Sequence, residues 1–280
     1  MAKASVGEIF SFAIKQTFRA DVIKTIVLPI AVIYFGLSFI FIWLLGIPVI
    51  DPISAGVTTG TVFGLLIYLI ISILVMVIVA VRTHRHYLLD ETMPRDIVST
   101  IQSGYYWAYV RKALLLIVVM FGPLFIALIV MIFSNAIGFV GLIAAWVFLF
   151  YAIRWSLILP AAAVGGVMSF AESNKYFMGH KLFYFWATVL IILGFSLANA
   201  IWGAFTGTAP LTEASSLFGF LLGSAMESLL TVFQATAAAF ALSYVFKIAT
   251  GMETERTPFE PMTESTPEIS DDSSDETSDE

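Results

Sequence analysis

The chain has 280 residues, of which 59% are hydrophobic and only 12% charged, with a mean hydropathy of +0.94. A soluble domain carries about 25% charged residues, so this composition excludes an ordinary water-soluble globule and points to lipid as the solvent. With no cysteine, disulfides, thiolate catalysis and cysteine-held metals are excluded. The net charge of −6 conceals two materials: residues 251–280 hold 11 acids and one base, while residues 1–250 hold 13 bases and 9 acids.

Residues 1–21 read as a polar N-terminal segment in which Phe10, Ile14 and Phe18 share a helical face. The first apolar run, Val22–Leu45, is too long for the core of a cleaved leader, so no signal peptide is expected. Five further runs follow: Val57–Val81, Ala113–Phe133, Phe139–Pro160, Phe185–Ala204 and Leu217–Phe246. Each is long enough to cross about 30 Å of hydrocarbon. The fold class expected is therefore all-α: a polytopic membrane protein whose six transmembrane helices form three hairpins across residues 22–250.

The connections divide cleanly by charge. Lys and Arg fall before the first span (Lys3, Lys15, Arg19, Lys24), in 82–112 (Arg82, Arg85, Arg95, Arg111, Lys112), near the end of the fourth span (Arg154), after it (Lys175, Lys181), and after the last span (Lys247, Arg256). Connections 46–56, 134–138 and 205–216 contain neither residue. The excess of basic residues on cytoplasmic loops then predicts a multi-pass protein with both termini in the cytoplasm.

The basic connections also carry apolar faces. Ile97, Ile101, Tyr105 and Ala108 align in 97–110, and Val167, Ala171, Met178 and Leu182 in 167–183. With the segment before the first span, these predict three interfacial amphipathic helices. The chain reads as three copies of one unit, an interfacial helix followed by a hairpin. Each returning span opens on small residues: Gly56, Gly60 and Gly64; Gly138, Gly141 and Ala145; Gly219 and Gly223. Small residues at such spacing let helices approach closely in lipid.

Residues 251–280 cannot bury apolar area and read as a disordered acidic cytoplasmic tail. Repulsion from a negative leaflet holds such a tail off the membrane. Arg82, Arg85, Arg95, Arg111 and Lys112 are the basic groups it would have to find to dock on its own chain.

Among candidate sites, Glu227 is the one acid deep in a span. It continues the Gly219/Gly223 stripe, with Thr231 and Gln234 nearby, so the sequence places it between helices, as polar glue or as a proton or cation site. Arg154, followed by Trp155, either snorkels to the interface or pairs with Glu227. Asn199 and Trp202 in the fifth span read as an interhelical hydrogen bond and an aromatic anchor, or as a cavity lining. His84 and His86 precede Asp90 and Glu91, but an i, i+2 pair faces two directions on a helix. They read as basic interfacial residues at a helix end rather than metal ligands. There is no phosphate-cradling glycine loop with Lys, no H-E-x-x-H and no G-x-S-x-G. No catalytic residue, cofactor or nucleic-acid partner is expected.

The stretch Arg154-Trp155-Ser156-Leu157-Ile158-Leu159-Pro160-Ala161-Ala162-Ala163-Val164 resembles a feature of one bacterial group. This is the membrane domain attached to some glycerophosphodiester phosphodiesterases, with its stand-alone relatives. Val6-Gly7-Glu8-Ile9-Phe10-Ser11-Phe12-Ala13 and Ser169-Phe170-Ala171-Glu172-Ser173 are similar to segments of the same group. The likeness covers roughly residues 5–250 and leaves out the acidic tail and any phosphodiesterase domain. It implies a six-helix protein of the bacterial cytoplasmic (inner) membrane with a link to envelope lipids, and no catalytic residues here. The function expected is a non-enzymatic scaffold or accessory protein, in contact with the bilayer and with a protein partner through its acidic tail or interfacial helices. The rival expectation is a small transporter or channel for a lipid, ion or small solute, built on Glu227.

Overall fold

A computed structural model describes residues 4–45, 59–91, 97–133, 139–144, 147–148, 153–206 and 217–252. Gly56, Gly138, Ala145, Arg95, the three Lys/Arg-free turns and the acidic tail from residue 253 lie outside the described residues. Among those described there is no strand. The helices are α1 (Val6–Thr17), α2 (Ala20–Val22), α3 (Leu28–Leu45), α4 (Thr59–Leu88), α5 (Ile97–Gln102), α6 (Gly104–Phe133), α7 (Ile158–Ala163), α8 (Phe170–Phe177), α9 (Lys181–Thr206) and α10 (Leu217–Thr250).

Five helical stretches are long and apolar enough to cross a membrane: Ala20–Phe41, Leu66–Leu88, Gly104–Pro123, Lys181–Ala204 and Leu221–Thr250. A sixth, over Phe139–Pro160, is not shown. Its described part is helical at 139–144 and 147–148, then tightens into a 3-10 turn at Ile153–Trp155, and Pro160 sits in the separate six-residue α7. The apolar piece Ile153–Ala163 is too short to span.

Each of three short helices, α1, α5 and α8, precedes a long apolar one. Two of them start on the same device. Ser5 accepts from the Glu8 backbone N–H at 3.2 Å, while the Ser5 N–H donates to the Glu8 carboxylate at 2.7 Å. Ser169 and Glu172 repeat this at 3.2 and 2.8 Å. These capping boxes satisfy backbone donors that a helix start leaves open.

The predicted faces shift on contact with the bundle. On α1 the inward stripe is Ile9, Ala13 and Thr17, all at 0% exposure. Phe10 and Ile14 flank it and Phe18 is exposed. The stripe packs on α9 and α10 rather than on lipid, and Phe12 stacks on Tyr244 with ring centroids 4.4 Å apart. The segment 97–110 is not one helix: the chain breaks at Ser103, so Tyr105 and Ala108 belong to α6. Around α8, by contrast, Val167 before it, Ala171 within it, Met178 at its end and Leu182 in α9 are all exposed. That helix is held from its other side by Ser173 and Phe177, which are buried.

Local breaks shape the long helices. Ile23–Val27 forms a π-helical turn between α2 and α3, bringing Ile26 and Val27 inward. Pro123 sits inside α6, where its missing N–H leaves the preceding turn one bond short. Helix α10 is the hub and packs against α1, α3, α4 and α9. Its 34 residues span about 51 Å, well beyond the hydrocarbon thickness. The glycine stripes are partly expressed: Gly64 and Gly223 are buried, and Gly60 and Gly219 are helical. A methyl group at Gly141 would come within 3.2 Å of the Ala127 Cβ, so the chain there runs tight against α6.

Candidate functional site

Two polar clusters lie inside the bundle. The first is at the end that carries the Lys and Arg side chains. There α4 does not stop at Val81 but runs on to Leu88. Arg82, Thr83 and His84 are therefore not loop residues, and all three are buried, at 0%, 0% and 1% exposure. This overturns the reading of Arg82 as a free basic surface group and of His84 as an interfacial one. His84 Nδ1 is 2.6 Å from Ser243 Oγ of α10, and its Nε2 is 3.4 Å from the Tyr109 hydroxyl of α6. The Ser243 hydroxyl donates to the Ala239 carbonyl at 2.8 Å. Ser243 has one proton and has already spent it, so His84 Nδ1–H must donate to Ser243. Nε2 is then left to accept from Tyr109. The hydrogen bonds thus run one way, Tyr109 to His84 to Ser243 to Ala239, and fix a neutral imidazole in one tautomer. The chain joins α6, α4 and α10.

One turn on, Arg85 gathers the end of the helix. Its Nε donates to Glu91 at 2.8 Å, a second guanidinium N–H pairs with the same carboxylate, and Nη1 donates to the Ala163 carbonyl at 3.0 Å. The guanidinium lies over the Tyr105 ring at 3.9 Å. Ala163 is the last residue of α7, so the cation meets the negative end of that helix. His86 Nδ1 is 3.1 Å from the Glu91 carbonyl, and His86 Nε2 is 3.6 Å from Asp21, which Arg19 also holds. His84 and His86 thus face different partners, as their spacing dictates. At α8, two hydrogen bonds from the Ser169 backbone and hydroxyl hold the Glu172 carboxyl below its usual value.

The second cluster lies between α3 and α4. The Ser38 hydroxyl donates to the Tyr34 carbonyl at 2.9 Å and is 2.9 Å from the Tyr68 hydroxyl, which reaches the Tyr34 hydroxyl at 3.4 Å. Ser72, one turn from Tyr68 on the same helix, is buried. Each helix supplies a Tyr and a Ser four residues apart. Ser38 on α3 thus meets Tyr68 on α4, and Tyr68 meets Tyr34. Tyr34 is ten residues beyond Lys24, about 15 Å along a helix, and Tyr68 is 14 before Arg82, about 21 Å. Glu227 is ten residues into α10, again about 15 Å from its start. These measures put the cluster, and separately Glu227, well inside an apolar layer.

Glu227 is the corrected residue. It does not pack between helices but is exposed on α10, while Gly223 and Ser228 are buried. The reason is helical drift: positions four apart advance about 40° per step, so a stripe drawn through 219, 223 and 227 walks off the inward face. At that level the inward face runs through Ser228, Val232, Phe233 and Thr236. Gln234 is half-buried beside it. Arg154 is not brought to Glu227. Its carbonyl accepts the Ser173 hydroxyl at 2.8 Å, and its guanidinium sits 5.2 Å above the Trp155 ring. Asn199 is half-buried and extends the inward stripe of α9 through Tyr184, Ala187, Ile191 and Phe195.

The sequence reading passed over Tyr34, Ser38, Tyr68 and Ser72, although two Tyr-x-x-x-Ser pairs in mid-span are a visible polar face. It passed over the His84–Ser243 bond because the two positions are 159 residues apart. A scan against protein-family models, a search of curated proteins and a search of solved structures each give no match to this chain.

Proposed function

We propose that the protein is a non-enzymatic scaffold or accessory protein of a bacterial cytoplasmic membrane, with both termini on the cytoplasmic side. The observation that carries this reading is the buried, cross-bonded core at the basic end, on which α1, α5 and α8 are seated. Such a platform presents fixed helices at the membrane surface and holds His84 and Arg85 in bonds between helices. The apolar edge of Val167, Met178 and Leu182 beside exposed Lys175 supplies a contact face for lipid headgroups or a partner helix. The resemblance to the membrane domain of glycerophosphodiester phosphodiesterases agrees with this role and adds the link to envelope lipids. The topology predicts outside signals for reporter fusions at Ile53, Asn135 and Thr212 and inside signals at Thr92 and Asn174. The role is tested by purifying the intact protein in mild detergent and identifying bound proteins and lipids by mass spectrometry. A partner in fixed ratio, lost when Met178 and Leu182 are replaced by Asp, is expected. Absence of any partner together with a measurable solute flux would replace the scaffold by a transporter.

The second reading, transport through Glu227, starts from a carboxylate that stands exposed ten residues into α10.

A further inference from the structure

We propose that His86 is a pH-sensitive clasp at the basic end. Protonated, it ties the start of the first span to the turn that closes α4. The clasp stands whether or not the scaffold reading holds.

A neutral imidazole has one N–H and one lone pair, whereas an imidazolium has two N–H groups and no lone pair. His86 Nδ1 is 3.1 Å from the Glu91 carbonyl oxygen, and Nε2 is 3.6 Å from Asp21 Oδ2, an ion-pair distance. Neither a carbonyl nor an ionised carboxylate can donate a proton. Both nitrogens of His86 therefore face acceptors, and only the imidazolium suits both. His84, two residues earlier, is the contrast. There the Ser243 hydroxyl accepts on one side and the Tyr109 hydroxyl donates on the other, which suits the neutral ring.

Position and access agree. His86 lies in the last turn of α4, where the helix dipole favours a cation. Its side chain is 18% exposed and that of Asp21 45%, against 1% for His84. A proton can reach His86 without the core opening. The turn is shaped for the contact: Asp90 adopts a φ of 55°, in the left-handed region, and the chain reverses there. Glu91 is thereby brought back to α4, where Arg85 takes its carboxylate and His86 faces its carbonyl.

The charges around His86 come from several elements. On the α2 side, Arg19 holds Asp21 through both carboxylate oxygens, at 3.1 and 2.9 Å, and Lys24 is exposed. On its own helix, Arg85 is paired with Glu91. From α10, Lys247 lies over the ring of the neighbouring Tyr87. Arg19 cancels Asp21 and Arg85 cancels Glu91, so the proton on His86 adds a single charge. When that proton leaves, one N–H remains. The shorter contact, to the Glu91 carbonyl, keeps it, and the Nε2 lone pair is left turned toward the Asp21 carboxylate. The link between α2 and α4 is then lost while the closing turn stays. The link is thus present in acid and lost as pH rises through the titration of the ring. Because α1 joins α2 through Phe18 and Arg19, the link also bears on how firmly α1 is held.

The test uses the full chain in detergent with 15N-labelled histidine. The chain has three histidines, and His→Gln variants assign His84, His86 and His180. Between about pH 5.5 and 8.5 the His86 ring should pass from two N–H groups to one, on Nδ1. His84 should keep one neutral form throughout. Hydrogen exchange of a peptide covering 20–27, corrected for the intrinsic effect of pH, should be slower in acid by about twofold to fivefold. That difference should vanish in Asp21→Asn and in His86→Gln. It should persist in Arg19→Gln, which keeps both partners of the clasp. Size-exclusion and an unchanged His84 signal in Asp21→Asn show that this variant is folded. The clasp is overturned if His86 keeps one form across the range, if the parent shows no exchange difference, or if the difference survives in Asp21→Asn.

Discussion

At the level of Val77–His84, helix α4 is enclosed on nearly every side. Two turns earlier, at Leu66, Ile67, Leu69 and Ile70, the same helix is exposed on nearly every side. The contrast holds across the bundle. At the basic end Thr17, Arg82, Thr83, His84, Thr100, Ser156, Ser173, His180 and Ser243 are all buried. In the opposite half, Phe39, Ile40, Phe63, Ile126, Leu197, Ile201 and Leu222 face outward. Hydrophobicity alone does not explain the contrast, because the more apolar half is the more open one. In lipid an apolar side chain gains little by leaving the solvent, and association depends on close packing and on hydrogen bonds between helices. The basic end has the polar groups, aromatic stacks and short helices that supply both. The Tyr34–Tyr68 cluster sits at the border.

The largest loss is expected where the basic end is tied together. Arg85→Ala removes the pair with Glu91, the bond to the Ala163 carbonyl and the cover over Tyr105 at one stroke. With hydrogen bonds to charged groups worth about 1.5–3 kcal/mol each, the variant should lose about 3 kcal/mol or more. It should melt well below the parent in detergent, and Arg85→Lys should recover only a fraction, because Lys lacks the fork. An unchanged melt would show that the end is held by apolar packing alone. His84→Phe comes next. It keeps a ring of similar size between α4, α6 and α10 but breaks the bonds to Tyr109 and Ser243. A loss of about 2 kcal/mol is expected, and Tyr109→Phe/His84→Phe should cost less than the sum of the singles, since one chain is being cut twice.

How much of this was legible in the sequence follows the same division. Helical class and the long apolar runs came from composition and length, because 20 apolar residues in a row have few other uses. The capping boxes at Ser5 and Ser169 are local Ser-x-x-Glu patterns that were legible but passed over. The inward face of α1 was misjudged by one position, since Phe10 and Ile14 are larger than Ala13 and Thr17 but the tight seat on α10 takes the small ones. The end of α4 was placed too early because Arg82 and His84 are polar, and only a partner helix from the far end of the chain makes their burial possible. Glu227 was put inside by a four-residue spacing that does not keep to one face over several turns.

Smaller effects test the other half. Gly141→Leu should clash with Ala127, where even a methyl would sit at 3.2 Å. Overpacking of this kind costs about 1–3 kcal/mol, and a variant as stable as the parent would mean that this stretch is free to move away from α6. Ser169→Ala should cost about 1 kcal/mol through the lost cap of α8. The Glu172 carboxyl is held below its usual value by Ser169, so its contribution is complete above the unfolded value of about 4.5 and is lost as pH falls through the lower folded one. Acidification below that point should loosen α8 in the parent, read by hydrogen exchange, and change little in Ser169→Ala.

The smallest effect is expected at the most polar position of the open half. Glu227 is exposed, so Glu227→Leu removes no interhelical bond and should leave the melting temperature within about 0.5 kcal/mol of the parent. A Leu facing hydrocarbon is more at home than a carboxylate, so any change should be toward stability. A drop of 2 kcal/mol or more in Glu227→Leu would mean that the carboxylate is covered in the membrane, by a second copy or by another protein. The half of the bundle that stands open in a single chain would then be an interface, and its difference from the basic end would be one of partner rather than of packing.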